Sequence, residues 1–139
     1  MYLTFDEYQV YGGTLDETTF NEYNFEAESL INYFTFNRLV NESEISENIK
    51  RCAFKLISIA KQRADAFTLG ASADGSTSAG ASITSQSNDG VSVSYNALSA
   101  SQLFNASQVE MKSVIRRYLH GVKNSLGQLV LYRGIYPNE

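Results

Sequence analysis

Apolar side chains recur every three or four residues through most of this chain, and the pattern lapses in one long stretch past its middle. Phe20, Tyr23, Ala27, Leu30, Ile31 and Phe34 share one side of a helix, while Glu17, Glu22, Glu26 and Glu28 mostly take the wet side. A second stripe comprises Ile45, Ile49, Cys52, Leu56, Ile59 and Ala60, and a third Met111, Val114, Ile115, Tyr118 and Leu119. Local signals bound these helices. Thr4 ahead of Phe5-Asp6-Glu7-Tyr8 reads as an N-cap with acidic residues in the first turn, and Gly12-Gly13 as a stop. Asp16 or Thr18 opens the second helix. Asn41 with Glu44, and Ser107 with Glu110, have capping-box spacing, and Gly121 is placed as a C′ glycine. The expected helices span about residues 4–11, 16–34, 43–66 and 101–120.

The lapse begins at Phe67, where Gly, Ala and Ser take over and predict a flexible connector over residues 67–81. A ribbon follows. From Ile83 to Tyr95, Val91, Val93 and Tyr95 alternate with Ser92 and Ser94 about an Asn88-Asp89-Gly90 centre, which predicts a β-hairpin over about residues 82–96. A lone two-stranded ribbon is marginal in water, so a neighbouring copy of the same chain is the economical source of its stability. Near the other end, Leu129, Leu131, Tyr132 and Arg133 belong to a short extended run whose apolar content predicts docking onto a surface. The expected fold class is mainly α, a bundle of about four helices with an inserted hairpin and a short C-terminal extended segment. The 139 residues suit one domain.

Composition adds little beyond an ordinary globular character, with 43% apolar and 19% charged residues. Charge placement says more. Residues 1–50 hold 2 Lys or Arg against 10 Asp or Glu, residues 51–66 hold 4 against 1, and residues 108–139 hold 5 against 2. An acidic front and a basic rear attract each other across copies, as a head-to-tail contact requires, although two solvated faces of opposite sign give the same count. No apolar run approaches the roughly 18 residues of a membrane span. Cys52 sits at helical spacing among apolar residues and reads as a small buried hydrophobe.

Catalytic and cofactor chemistry finds few handholds. His120 is the one histidine, so a histidine-based triad or a multi-histidine metal site is excluded by count, and its place at a helix end suits a capping cation. Glu22, Glu26 and Glu28 lack calcium-loop spacing, and Gly70, Gly75 and Gly80 form neither phosphate-binding motif. The basic run Lys50, Arg51, Lys55, Lys61 and Arg63 is a weak footprint for a sequence-reading DNA binder in an acidic chain. No cofactor is expected.

Four features in order complete a pattern: the helix ending in Gly12-Gly13, the acidic helix leading into Thr35-Phe36-Asn37-Arg38-Leu39, the ribbon from Ile83 to Tyr95, and Leu131-Tyr132-Arg133-Gly134. Together they resemble the head–tail connector (adaptor, or head-completion) proteins of long-tailed double-stranded DNA bacteriophages. The resemblance spans nearly the whole chain and departs from the family in the longer Gly70–Ala81 connector. It implies a non-enzymatic virion protein at the head–tail interface, assembled in the host cytoplasm as a ring, dodecameric by analogy. Its partners would be copies of itself, the portal protein, and a tail-side stopper or tail-completion protein. Double-stranded DNA would pass through without being gripped. Thr84, Gln86, Asn88, Asp89, Gly90, Ser92 and Ser94 would then face the channel or the next subunit, presenting no cation to hold phosphates. A small non-enzymatic adaptor binding one partner by β-augmentation is the alternative. An enzyme acting through Glu or Tyr is the least favoured, since no nucleophile–base–orienter trio assembles from these residue types.

Overall fold

A capping box opens the first helix of the computed structural model, which describes residues 1–74 and 100–137. The Glu7 N–H donates to Thr4 Oγ1 at 3.2 Å and the Thr4 N–H donates to Glu7 Oε2 at 3.0 Å. Among the described residues the chain is mainly helical: α1 (Phe5–Val10), α2 (Glu17–Phe34), α3 (Glu47–Asp74) and α4 (Ala100–Leu119). The residues divide into two units, Met1–Ser58 with Met111–Glu139, and Ile59–Glu110. Among the described residues no helix is long and apolar enough to cross a membrane.

In the first unit Tyr23, Leu30, Phe34, Ile45 and Tyr118 of the predicted stripes are only half-buried. The stripe residues Phe20, Ala27 and Ile31 of α2, Ile49, Cys52 and Leu56 of α3, and Met111, Val114, Ile115 and Leu119 of α4 are buried, with Ile57 beside them unpredicted. Asn24 joins them, its Nδ2 donating to the Leu3 carbonyl at 3.3 Å. Tyr8 lies among rings, 4.9 Å from Phe20 and 5.6 Å from Phe54 between centroids, and its hydroxyl accepts from the Thr14 and Leu15 N–H groups at 3.2 and 3.3 Å. Gly13 is required by that ring, because a Cβ there would stand 2.1 Å from it. The Lys50 ammonium donates to the Glu7 carboxylate and ties α1 to α3, and together with the Thr4 N–H it holds the Glu7 carboxyl below the usual carboxylate range. In the second unit Ile59, Ala60, Leu103 and Ser107 are buried. There Arg63 lies over the Phe104 ring at 5.4 Å and donates to Ser107 Oγ at 3.4 Å.

Several expectations change. The connector predicted to begin at Phe67 starts later, because α3 runs on to Asp74. Ala64, Ala66 and Leu69 favour helix, Thr68 Oγ1 donates back to the Ala64 carbonyl at 3.0 Å, and one glycine costs a helix only about 1 kcal/mol. Neither later capping box forms. Asn41 closes a run of turns, and the Ser46 carbonyl accepts the first bonds of α3, from Ile49 and Lys50 at 3.0 and 3.2 Å. Ser107 lies inside α4, where its hydroxyl donates to the Phe104 carbonyl at 2.7 Å. The run from Leu129 is not extended, since the Tyr132 N–H closes a turn onto the Leu129 carbonyl at 3.2 Å. Among the described residues the one β contact is an isolated antiparallel bridge between Lys123 and Leu129. The predicted hairpin over 82–96 lies outside the described residues.

Leu56 is 1% exposed on the α3 face that packs the first unit. Leu56→Ala is expected to cost about 2–5 kcal/mol of stability, read from the urea midpoint at constant slope. A loss under about 1 kcal/mol would place that face outside the core.

Candidate functional site

Helix α2 ends in a Schellman motif made with the wrong residue for it. The Phe36 N–H donates to the Tyr33 carbonyl at 3.4 Å and the Asn37 N–H to the Asn32 carbonyl at 2.9 Å, so Phe36 occupies the C′ position that glycine usually fills. Its φ is +54° and that of Asn37 is +59°, the two non-glycine residues with positive φ among the described residues. For a phenylalanine this conformation costs about 1–2 kcal/mol. Strain of this kind persists where the surroundings fix it and tends to gather at functional sites.

The turn delivers Arg38 inward, leaving it 8% exposed. Its Nη1 donates to the carbonyls of Leu129 and Val130, each at 3.3 Å, and of Tyr132, while Nη2 donates to that of Gly134 at 2.8 Å. The guanidinium also lies over the rings of Phe36 and Tyr136, at 5.1 and 4.9 Å from their centroids. Five N–H groups in a planar fork suit several acceptors arranged around one centre, which an ammonium does not reproduce.

The segment so gathered is held from its other side by a small turn. Asn124 Oδ1 accepts from the Leu126 and Gln128 N–H groups at 3.1 and 2.9 Å, and Gly127 supports the turn with a φ of +75°. The Val130 N–H donates to the Val122 carbonyl at 3.0 Å, and the Val130 side chain is fully buried. Glu42 accepts from the Ser125 N–H and hydroxyl at 3.0 and 2.8 Å, and the Tyr136 hydroxyl accepts from the Leu129 N–H at 2.9 Å. One apolar anchor and a set of polar clasps therefore place this segment, leaving Leu129, Tyr132 and Ile135 exposed at 40%, 50% and 83%.

Beside it lies a groove of about 670 Å³ between the end of α2, the face of α4 and the C-terminal segment. Tyr33, Phe34 and Phe36 supply aromatic walls, and Lys112, Arg116 and Arg133 supply three cations. No carboxylate pairs with any of the three among the described residues. Phe36 and Asn37 form the partition between this groove and a second depression of about 550 Å³, which includes Glu42 and Ser125. The arrangement is equipped to bind an anionic or aromatic partner surface. Among the described residues no three His, Cys, Asp or Glu side chains gather as metal ligands.

Of the residues singled out from sequence, Thr84, Gln86, Asn88, Asp89, Gly90, Ser92 and Ser94 lie outside the described residues. Leu129, Leu131, Tyr132 and Arg133 sit together on the clasped segment, Leu131 and Arg133 turned to the groove. His120 is exposed at the end of α4. Sequence reasoning assigned no role to Arg38, Lys112, Arg116, Asn124 or Tyr136. For Arg38 a signal was present: it is one of two cations in the first fifty residues, set between Phe36 and Leu39. No family model, curated protein or solved structure matches the chain.

Arg38→Lys is expected to lower stability by about 2–4 kcal/mol in urea, because carbonyls of the segment lose their donor. Amide exchange of residues 129–134 should quicken with it, and unchanged exchange would mean that the segment is held by Val130 alone. Phe36→Gly relieves the left-handed strain while deleting the ring over Arg38, so the net change in the same urea measurement is expected to stay within about 1 kcal/mol. A loss above about 2 kcal/mol would make the ring a structural element.

Proposed function

We propose that this chain is a non-enzymatic structural subunit of a bacteriophage head–tail connector, forming a closed ring between the portal and a tail-side stopper or tail-completion protein. The observation that carries this reading is the C-terminal segment: a buried arginine and an asparagine turn fix its backbone, while Leu129, Tyr132 and Ile135 point outward. Apolar side chains held out on an ordered backbone lose little conformational freedom on binding, which is what a docking surface needs. The motif Thr35-Phe36-Asn37-Arg38-Leu39, one of those that carry the family resemblance, is the turn that builds the clasp.

In this reading the ribbon from Ile83 to Tyr95 is an inserted hairpin of the helical subunit. It lines the channel, where its neutral Ser, Thr and Gln side chains let duplex DNA slide, and copies pair along its edges. Portal and tail-side protein occupy the two opposite faces of the ring.

Light scattering with native mass spectrometry, on the chain alone and mixed with portal particles, tests the proposal. A single closed multimer, bound to the portal, is the expected result. A chain that is monomeric in both samples, or that gives only a one-to-one complex, would overturn the ring.

A further inference from the structure

The basic groove has a counterpart on the same molecule. Along α2, Thr18, Asn21, Glu22, Phe25 and Ser29 are exposed on one helical stripe, with Glu17 exposed beside them. Phe25 is 75% exposed, and Ser29 next to it is small and turned back, its hydroxyl donating to the Phe25 carbonyl at 2.8 Å. The stripe is therefore an aromatic knob flanked by carboxylates, and the groove is an aromatic-walled recess rimmed by Lys112, Arg116 and Arg133. From Phe25 to Tyr33, which lies on the groove wall, the helix advances about 12 Å, so the two surfaces do not overlap.

From this complementarity we infer that the groove receives the Glu17–Phe25 stripe of a second copy of this chain, Phe25 entering between the aromatic walls while Glu17 and Glu22 meet Lys112, Arg116 and Arg133. The inference rests on the ring reading and assigns its subunit contact. Two different patches make the contact heterologous, so an open chain of copies keeps one free groove at one end and one free stripe at the other until it closes. A groove that met a second groove would be isologous and would stop at a dimer.

The test compares three versions of the full chain by sedimentation from micromolar to millimolar concentration, with circular dichroism to confirm folding. Phe25→Asp destroys the knob and Arg116→Glu the recess, and both positions are exposed. Each variant alone is expected to associate at least about thirtyfold more weakly than the wild type, as the loss of an interface hot spot does. Mixed together, they should form pairs and nothing larger, since Arg116→Glu keeps a live stripe and Phe25→Asp a live groove. Adding Glu22→Lys to Arg116→Glu in one chain should restore part of the association. Wild-type growth unaffected by either variant overturns the contact while leaving a ring standing. Open chains of graded mass that both variants abolish support the contact and overturn the closed ring. A wild type monomeric throughout overturns the contact, and the ring on the portal is then read from its own measurement.

Discussion

A guanidinium removed from water must be surrounded by acceptors, and in this chain that requirement dictates the path of the C-terminal segment. An unsolvated cation is costly enough that several kcal/mol separate a satisfied Arg38 from an orphaned one. The acceptors come from residues 91 to 96 positions later, as carbonyls of Leu129, Val130 and Gly134, with that of Tyr132 between. The length-dependent part of closing a loop of that size is about 4 kcal/mol, so one hydrogen bond worth about 1 kcal/mol would not hold it. Several bonds sharing one ordered side chain can. An extended strand sends successive carbonyls to opposite sides, whereas a segment bent by turns aims them at one point, which is why the backbone here departs from the extended run its apolar content predicts.

The turn that presents Arg38 carries its own cost. Glycine at the C′ position would form the same Schellman bonds without strain, and the chain places phenylalanine there. The ring lies over the guanidinium on one side and lines both depressions on the other. A cation–π contact contributes about 0.5–1 kcal/mol at exposed sites and about 2 kcal/mol when desolvated, so with Arg38 buried and Phe36 half-exposed it roughly offsets the strain.

What could be read from sequence follows the range of each interaction. Amphipathic stripes, the Thr4–Glu7 box, the Asp16 cap and the glycines after α1 and α4 are set by neighbours within four residues, and those appear where predicted. The boxes at Asn41–Glu44 and Ser107–Glu110 had the same spacing and failed, because α3 starts at Glu47 beyond the first and α4 starts at Ala100, which leaves Ser107 buried inside the helix. Glycine and alanine after Phe67 read as a connector, yet the first eight of those residues continue a helix already nucleated over five turns. The arginine clasp was invisible for a different reason. Its partners are backbone carbonyls, which leave no residue-type signature, and they lie some ninety positions away. The groove was half legible, since its cations were counted in the basic rear, but their convergence with Phe36 is a product of the fold.

The uneven charge along the chain acquires geometric meaning from α2. Its first half carries exposed acid around Phe25, and its far end forms the aromatic wall of a basic recess. In the proposed head-to-tail contact, α2 would carry both the acidic stripe and part of the aromatic wall, so the helix would contribute to the distance and angle between the two surfaces, with α4 and the clasped C-terminal segment supplying the cations. Rigidity matters because closure depends on a constant rotation per copy: a flexible connection between the patches would yield open chains of varied length. Individual contacts of this kind need not be strong. In a ring of the proposed kind the last copy to enter would make two contacts for one loss of translational freedom, so modest complementarity at each interface would suffice to close it.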